Sequence, residues 1–385
     1  MNNIKVALVH DWLTGMRGGE KCLEVFCELF PEATVFTLIH KKGSVSPTIE
    51  KMKIQTSFLQ NIPGIFKNYR NFLPFYPAAI ENFNLGGYDL VLSSSHCVAK
   101  GVNAPSNALH ICYCYTPMRY AWKFFDEYFA GENKLKRWAI SAAVKYLKRW
   151  DLRSNKKVDY FIAISDNVKN RIGEFYKREA DVIYPPADID AHAKLGKDEG
   201  FYLIVSALVP YKKVDLAVKV FNENGKPLIV IGSGPEFSRL QKESKSNISF
   251  RGWASDSELN DYYADCSALI FPGEEDFGIV PVEAQSHGKP VIAYAKGGAL
   301  ETIIPFSEEL GMASGASATG VFFKEQTAAS LKEAIETFEK NRSVFDPDII
   351  RDNALKFNRG RFKREIREYI DSKWEFHVKK QLGKV

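Results

Sequence analysis

Residues 267–294, SALIFPGEEDFGIVPVEAQSHGKPVIAY, contain one complete unit of strand, loop, helix and strand. The run Ser267 to Phe271 predicts a short buried strand, and a second apolar run, KPVIAY, follows the helix. Pro281 is well placed to open that helix, because a first-turn residue needs no backbone N–H donor, and Gly288 ends it. Such a unit is the repeating element of layered α/β proteins.

The same unit recurs in two series along the chain. The predicted strands of the first series are Ile4–His10, Thr34–Ile39, Leu90–Ser94, His110–Tyr115 and Tyr160–Ser165. Those of the second series are 201–208, 227–234, 247–253, 267–273 and 289–294. We therefore predict an α/β protein with two Rossmann-like, doubly wound domains, in which ligands bind beyond the carboxyl ends of the strands.

The predicted domains span residues 1–186 and 200–350. Pro185, Pro186 and the polar stretch after them indicate an interdomain linker over 187–199. Residues 351–385 predict a charged helical segment that crosses back to the first domain or remains a solvated or packing helix. The strand ends that carry functional side chains are expected to face a cleft between the two domains.

The composition predicts a soluble globular protein of the cytoplasm. The chain of 385 residues is 45% hydrophobic and 26% charged. No run approaches the roughly 18 apolar residues of a membrane span, and the start MNNIKVALVHDW lacks the order of a signal peptide. The six cysteines form no CxxC pair and are expected to be reduced core thiols. A net charge of +5 is too small to indicate nucleic-acid binding.

The loop before the predicted helix favours an anion site. The amides of Gly278, Ile279 and Val280 would point out of the helix N-terminus, where backbone N–H groups and the helix dipole attract negative charge. Glu275 precedes these amides and Glu283 follows them, so a bound phosphate would lie between two carboxylates able to hold hydroxyl groups. Sugar nucleotides have that arrangement. The alternative is an ordinary helix start in which Glu283 complements the dipole.

Other residues at strand ends are candidates for the same chemistry. Gly18 and Gly19 permit close approach of an anion or sugar before a helix that begins near Glu20, although a plain turn has the same pattern. Lys212 and Lys213 could neutralise a departing diphosphate, or they could belong to a solvated helix start.

A histidine and two residues of a neighbouring loop complete the first-domain candidates. His96 follows LVLSSS and could bind a sugar hydroxyl, affect proton transfer or support its own loop. Tyr115 and Arg119 follow the strand HICYCY.

Residues 231–236, IGSGPE, lack the third glycine of a dinucleotide motif, because Phe237 occupies that position. No group of His, Cys, Asp and Glu has metal-ligand spacing, so catalysis is expected to be metal-independent.

Two basic and aromatic stretches suit an anionic membrane surface. The first, residues 134–157, combines lysines and arginines with Trp138, Tyr146 and Trp150. A helix that packs its aromatic side chains and solvates its basic face explains the pattern equally well. The second stretch, residues 58–83, could extend that surface or hold a lipid-linked acceptor.

Several motifs occur together and in a characteristic order. They are GGEK, SSSHCVAKG, CYTPMRYAW, VIYPP, LVPYKKVDLAV, IGSGPE and EDFGIVPVEAQSHGKPVIAY. In this combination the chain resembles the retaining GT-B glycosyltransferases of glycosyltransferase family 4 (group 1), particularly bacterial mannosyltransferases of O-antigen and capsule synthesis. The resemblance implies an acceptor-binding first domain and a nucleotide-sugar-binding second domain.

The resemblance also implies roles for individual residues. Glu275 would hold hydroxyls of the donor hexose, Gly278 to Val280 its diphosphate, and Glu283 the ribose. Lys213 would take the position of the phosphate-neutralising lysine, and Trp253 would lie near the base unless it is packed. The implied catalytic residues are Glu275, His96 and Lys213. Further donor contacts would come from Gly18, Gly19, Ser206, Lys212, Gly232 and Phe277, and acceptor contacts from His96, Tyr115 and Arg119.

The implied activity is metal-independent, cofactor-free transfer of a hexose, preferably mannose from GDP-mannose, to a lipid-linked oligosaccharide or polysaccharide acceptor. The enzyme would lie in the cytoplasm, on the inner face of the cytoplasmic membrane. Two positions depart from the family pattern, because Tyr115 stands where a histidine is common and Ala207 where an arginine is common. They suggest as an alternative a catalytically weak GT-B protein that binds nucleotide or glycan in a synthesis complex. A nucleotide-sugar epimerase is a third hypothesis.

Overall fold

The computed structural model describes residues 4–122, 134–189, 195–307 and 318–383. The chain divides into two compact units. Unit 1 contains Met1–Pro186 and Gly360–Val385, and unit 2 contains Ala187–Arg359. Each unit has its own parallel sheet.

Each predicted strand run contains a strand, and three short strands were not predicted. In unit 1 the strands are β1 Val6–His10, β2 Thr34–Thr37, β3 Lys53–Thr56, β4 Leu90–Ser95, β5 Leu109–Cys114, β6 Tyr160–Ala163 and β7 Ala180–Val182. In unit 2 they are β8 Tyr202–Val205, β9 Leu228–Ile231, β10 Ile248–Gly252, β11 Ala268–Phe271, β12 Val291–Tyr294 and β13 Gly320–Phe323. The strands absent from the sequence prediction are β3, β7 and β13.

Within the described ranges, the α-helices follow the strands in the alternating order expected of crossover connections. The first seven are α1 Gly18–Leu29, α2 Pro47–Glu50, α3 Ile65–Asn68, α4 Tyr76–Glu81, α5 Arg119–Trp122, α6 Lys134–Ser154 and α7 Asp166–Arg171. The next four are α8 Val214–Asn224, α9 Phe237–Glu243, α10 Asp256–Asp265 and α11 Ile279–Ser286. The last four are α12 Ala299–Thr302, α13 Ala328–Lys340, α14 Pro347–Leu355 and α15 Arg359–Gln381.

In the sheet of unit 1, the chain winds outward in one direction from β1 and in the opposite direction from the neighbouring strand β4. Its order is β3-β2-β1-β4-β5-β6-β7, and every pairing is parallel. His10 and Ser94 are paired at the carboxyl ends of the two central strands. Both strands are buried throughout, which is why their sequences read as continuous apolar or small-residue runs. The crossovers leave in opposite directions here, so this end of the sheet is the natural ligand crevice.

The sheet of unit 2 has the same design. Its order is β10-β9-β8-β11-β12-β13, and every pairing is again parallel. The chain winds outward in opposite directions from the neighbouring strands β8 and β11. Leu203 and Leu269 are paired in the two central strands. The loops that follow these strands carry Ser206 on one side and Glu275 on the other, so both lie at the switch point.

The last helix packs into unit 1 from Gly360 onward. The Phe362 ring lies 5.9 Å from that of Phe26 and 5.5 Å from that of Tyr113, between ring centroids. Arg361 Nη1 donates a hydrogen bond to the Tyr184 carbonyl at 2.9 Å. This segment is therefore part of the core of unit 1. The predicted linker is assigned differently, because residues 187–189 and 195–199 belong to unit 2, and residues 190–194 lie outside the described part of the chain.

A buried ion pair anchors the loop after β4. Lys100 and Asp151 are both buried, and the Lys100 ammonium pairs with Asp151 Oδ1. Lys100 Nζ also donates to the Cys97 carbonyl at 3.3 Å. Trp122 Nε1 and the Tyr176 hydroxyl each donate to Asp151 Oδ2 at 2.8 Å. The loop that carries His96 is thus fixed to helix α6 by a buried, hydrogen-bonded charge pair.

We expect Lys100→Met to lower the free energy of unfolding of unit 1 by about 3–5 kcal/mol, because it leaves the Asp151 carboxylate buried without its cation. Urea unfolding followed by tryptophan fluorescence measures this, since five of the six tryptophans lie in unit 1. Lys156→Met, at an exposed position of the same unit, is the matched control and should stay within about 0.5 kcal/mol of wild type. Equal losses in both variants would contradict the anchoring role.

Candidate functional site

A buried carboxylate organises the crevice of unit 1. Asp11 directly follows β1 and is fully buried. Its Oδ2 accepts hydrogen bonds from the backbone N–H groups of His96 and Cys97 at 2.8 and 3.0 Å. Its Oδ1 accepts from those of Val98 and Ala99 at 2.7 and 2.8 Å. One carboxylate therefore satisfies four consecutive amides of the loop after β4, which fixes the backbone of that loop.

The same carboxylate orients the His96 ring. His96 Nδ1 lies 3.0 Å from Asp11 Oδ2, and the ring meets Trp12 edge to face, with 4.5 Å between ring centroids. Burial alone would raise the pKa of the Asp11 carboxyl, but His96 and His10 outweigh it and hold that pKa well below its ordinary value of 3.8. The His96 side chain is 37% exposed. With Nδ1 directed at Asp11, Nε2 is the ring nitrogen available to a ligand.

The Gly18-Gly19 turn lies beside this histidine loop. Helix α1 begins at Gly18, two residues earlier than predicted, and the Glu20 carboxylate accepts from the Arg17 N–H at 3.0 Å as part of a capping box. The Tyr115 hydroxyl donates to the Gly19 carbonyl at 2.8 Å. Tyr115 thereby stabilises the glycine turn, with its ring centroid 6.4 Å from that of His96. Of the predicted acceptor-side residues, Arg119 is half-buried at the start of α5.

The predicted helix start of unit 2 is present, shifted by two residues. Helix α11 begins at Ile279 with Gly278 as its N-cap, and Pro281 occupies the third helical position instead of the first. Gly278 has φ = 86°, a conformation that favours glycine. The first-turn N–H groups of Ile279 and Val280 have no acceptor within the helix, which is the geometry that binds anions.

Glu275 forms an ion pair with Lys212. The loop after β8 brings the Lys212 ammonium to the Glu275 carboxylate, and the Gly298 N–H donates to the Glu275 carbonyl at 2.9 Å. Both side chains are largely buried, with 17% and 16% exposed. Lys213 follows in a left-handed conformation, with φ = 54°, as the N-cap of α8. The structure thus brings Lys212 to the acidic loop, whereas the resemblance pointed to Lys213.

Glu283 is held by a tyrosine from the preceding helix. The Tyr263 hydroxyl donates to Glu283 Oε2 at 3.0 Å. Tyr263 is 2% exposed, and its burial together with the negative charge of Glu283 raises the pKa of its hydroxyl well above the usual value. The hydroxyl therefore stays protonated as a donor, and it fixes one oxygen of the Glu283 carboxylate.

The remaining donor candidates differ in their environments. Trp253 is 80% exposed, so its ring is free of core packing. The Phe277 side chain is buried and packs 5.5 Å from the Phe357 ring, so its backbone is the part that borders the loop. Gly232 has φ = 140°, and a Cβ at this position would lie 1.8 Å from the Ser206 carbonyl oxygen. Only glycine therefore allows the loops after β8 and β9 to approach this closely.

Sequence reasoning missed three residues of these sites: Asp11, Trp12 and Tyr263. An acidic residue directly after a buried strand was a usable signal for Asp11. Its four amide partners, however, are 85 to 88 residues away in the chain. The Tyr263 contact carried no comparable signal.

Two kinds of feature are absent from the described residues. Within the described ranges, no group of three or more His, Cys, Asp and Glu side chains is arranged to hold a metal ion. No helix in this part of the chain combines the length and apolarity needed to cross a membrane.

Comparison with known proteins agrees with this geometry. Residues 187–357 match the family described as glycosyl transferases group 1. The O-antigen chain mannosyltransferase RfbU of Salmonella typhimurium is 28% identical over 36% of this chain and 43% of its own length. The alpha-1,3/1,6-mannosyltransferase ALG2 of Saccharomyces cerevisiae is 28% identical over 89% of this chain and 76% of its own. The match to RfbU spans less than half of that relative.

A solved structure is similar over both units. The apo form of the lipopolysaccharide outer core galactosyltransferase WaaB aligns over 96% of this chain and 100% of its own with a TM-score of 0.65, at 16% sequence identity. The two doubly wound parallel domains therefore have the GT-B fold. Residues 187–357 of unit 2 are the part of the chain that is similar to the group 1 glycosyltransferases.

We expect Asp11→Asn to destabilise unit 1 by about 3 kcal/mol at neutral pH, because an amide presents one acceptor oxygen to four N–H groups and carries no charge. Since the pKa of Asp11 is depressed in the folded state, its contribution is present above the unfolded value of 3.8 and is lost as the pH falls toward the folded value. The measurement is urea unfolding of both proteins from pH 7 down to pH 2.

The difference between wild type and Asp11→Asn should shrink over the acidic part of this range. Asp89→Asn is the control, because that carboxylate is less buried and accepts a backbone N–H from Lys5. It should cost less than about 1 kcal/mol. A pH-independent difference for Asp11→Asn would show that the carboxylate charge is not the stabilising feature.

Proposed function

We propose that this protein is a retaining glycosyltransferase that transfers a hexose from a sugar nucleotide to an acceptor hydroxyl. The observation that carries the proposal is the Lys212–Glu275 ion pair at the switch point of the group 1 domain, on the loop that leads to the first-turn amides of α11. A cation, a carboxylate and an anion-binding helix start are the groups that a sugar diphosphate requires. Neither Glu275 nor Glu283 is fully buried, so both can reach a ligand.

The chain can supply most of the catalysis through position and charge. The amides of Ile279 and Val280 and the Lys212 ammonium would stabilise the negative charge that develops on the departing diphosphate. Glu275 would bind hydroxyls of the hexose, and Glu283, held by Tyr263, would bind the ribose. Because the leaving phosphate can take the proton of the acceptor hydroxyl, the chemistry needs no protein nucleophile. Retention and metal independence are parts of this proposal.

His96 would act on the other side of the reaction. Asp11 holds its Nδ1, so its Nε2 can bind a hydroxyl of the hexose or of the acceptor. Tyr115, which stands where related sequences carry a histidine, supports the Gly19 turn and supplies no ring nitrogen, so His96 is the residue proposed to bind the hydroxyl.

Mannose from GDP-mannose is the preferred donor, and a lipid-linked oligosaccharide or a polysaccharide is the preferred acceptor. Support comes from the mannosyltransferase names of RfbU and ALG2 and from the O-antigen chain in the former. WaaB is similar in fold alone, so its galactosyl specificity carries no weight for the sugar.

Contact with the inner face of the cytoplasmic membrane is part of the proposal. Helix α6 exposes 72% of Trp138 and 48% of Tyr146 beside the basic residues Lys145 and Arg149. Trp150, by contrast, is 2% exposed and packs in the core of unit 1. The side chains of Lys134 and Lys136 lie outside the described residues.

A catalytically weak GT-B protein that binds nucleotide or glycan is the second candidate. It is favoured by Ala207, which is exposed beside the loop of Lys212 and supplies no guanidinium for a diphosphate. Lys212 is a point charge and does not reproduce bidentate binding by arginine. Turnover of a sugar nucleotide distinguishes the active transferase from the catalytically weak binding protein.

We expect wild type to hydrolyse a sugar nucleotide slowly without an acceptor, and Glu275→Gln to lower kcat at least about 100-fold, because an amide neither pairs with Lys212 nor holds the hexose as strongly. Coupled detection of the released nucleoside diphosphate measures the rate. Glu274→Gln is the matched control, since the adjacent carboxylate pairs with Lys296 at 3.4 Å, and it should stay within about threefold. Absence of turnover with any common sugar nucleotide would favour the second candidate.

A thermal-shift screen across GDP, UDP, ADP and their sugars tests the donor. GDP and GDP-mannose should raise Tm, since a ligand at 100 times its Kd stabilises the folded state by about 2.7 kcal/mol. Glu283→Ala should reduce this shift, because it removes the carboxylate assigned to the ribose. A shift with a UDP sugar and none with GDP or GDP-mannose would make the donor preference wrong.

A further inference from the structure

A cavity of about 450 Å³ in unit 1 is lined by four basic side chains: Arg17, Lys41, Lys67 and Arg70. Its lining contains no aspartate or glutamate. Among the described residues, none of the four forms an ion pair with an acidic side chain. All four are exposed, so a ligand can approach them from solvent. Four uncompensated cations around one cavity attract a multiply charged anion.

The four cations come from three separate places in the sequence. Arg17 is the N-cap of α1, and Lys41 follows the bridge between Leu13 and His40. Lys67 lies in α3, and Arg70 lies in the 3-10 helix that continues from it. Convergence from three segments distinguishes this cavity from a run of neighbouring lysines on a solvated helix face.

A continuous series of ring contacts joins the cavity to the candidate acceptor histidine. The Arg70 guanidinium lies over the Tyr69 ring, 5.5 Å from its centroid. The Tyr69 and Trp12 centroids are 5.3 Å apart, and those of Trp12 and His96 are 4.5 Å apart. All of these residues belong to unit 1, so their proximity does not depend on unit 2. A ligand with a hydroxyl at His96 could therefore extend an anionic group into the cavity.

The cavity also has an apolar border. Phe66, one of its lining residues, is 39% exposed, and Phe75 in the same segment is 57% exposed. An exposed phenylalanine in the lining of a cationic cavity fits a ligand that joins a phosphate group to a hydrocarbon chain. A free sugar or a neutral polysaccharide would use neither feature.

We propose that this cavity binds the phosphate or diphosphate of a lipid-linked acceptor, with Arg17, Lys41, Lys67 and Arg70 as its ligands and Phe66 against the lipid chain. The proposal rests on the proposed function, because it defines the acceptor of the same reaction. Of the two preferred acceptors, a lipid-linked oligosaccharide and a polysaccharide, the proposal selects the acceptor that carries a phosphorylated lipid.

Equilibrium binding of farnesyl diphosphate to the full-length protein tests the proposal. Wild type should bind this probe, and farnesol, which has the same chain without the diphosphate, should bind at least about tenfold more weakly. Lys67→Ala combined with Arg70→Ala should weaken binding about tenfold or more and reduce its dependence on ionic strength. Both positions are exposed, so the double variant should fold normally, which circular dichroism checks.

Matched variants show whether the effect belongs to the cavity or to total charge. Lys51→Ala combined with Lys53→Ala removes the same charge from exposed positions of unit 1 outside the cavity, and should leave the affinity within about twofold. The proposal is overturned if the Lys51 and Lys53 pair weakens binding as much as the cavity pair.

Two further probes identify the source of the phosphate. Inorganic pyrophosphate should bind more weakly than farnesyl diphosphate, and equal affinity would overturn the lipid-linked assignment. Phosphatidylcholine vesicles containing phosphatidylglycerol test a bilayer headgroup. If the cavity variant loses vesicle binding while its farnesyl diphosphate affinity is unchanged, the cavity serves the membrane surface and the proposal is wrong. Donor hydrolysis is a separate measurement. Failure of the cavity proposal therefore leaves the transferase proposal intact, and failure of donor hydrolysis leaves the binding result at the cavity intact.

Discussion

Parallel strands place all of their carboxyl ends at one edge of a sheet, and a crevice forms at that edge where the crossovers diverge. Both units depend on this constraint. In unit 1 the divergence between β1 and β4 brings Asp11 to the loop of His96, and in unit 2 the divergence between β8 and β11 brings Lys212 to Glu275. Neither pair is close in sequence. The topology of each sheet therefore creates its candidate site.

Charge compensation then determines what each site can do. Four amides and a histidine satisfy the buried Asp11 carboxylate and offset its loss of hydration, and this arrangement fixes the orientation of the His96 ring. The charges of Lys212 and Glu275 offset each other, and both side chains are partly exposed, so both remain available to a substrate. A site whose charges are already in position needs little reorganisation when a diphosphate begins to leave. In the proposed reaction, unit 1 supplies hydroxyl binding by His96, and unit 2 supplies stabilisation of the leaving group by the α11 amides.

The sequence was sufficient for the architecture and for the acidic loop. In the part of the chain that the structure describes, apolar runs located ten of the thirteen strands, because central parallel strands are buried on both faces. They did not locate β3, whose alternating exposure follows from its edge position, or the three-residue β7. The contact of Lys212 with Glu275 could not be predicted from the sequence, because the two residues lie on loops that are far apart along the chain, and the role of Lys213 stays a prediction. The Asp11 contacts and the Tyr263–Glu283 bond are long-range arrangements that no local pattern encodes. The stretch 58–83 indicated part of the cationic cavity, whereas Arg17 and Lys41 join it from two other segments.

The stereochemistry of donor hydrolysis tests the central claim most directly. A time course of proton NMR spectra, recorded on wild-type protein with an α-linked sugar nucleotide, identifies the first sugar anomer released before mutarotation equilibrates it. We expect the α-anomer to appear first, because water would take the place of the acceptor on the same face as the departing diphosphate. Initial release of the β-anomer would contradict a retaining transferase built on Glu275 and Lys212.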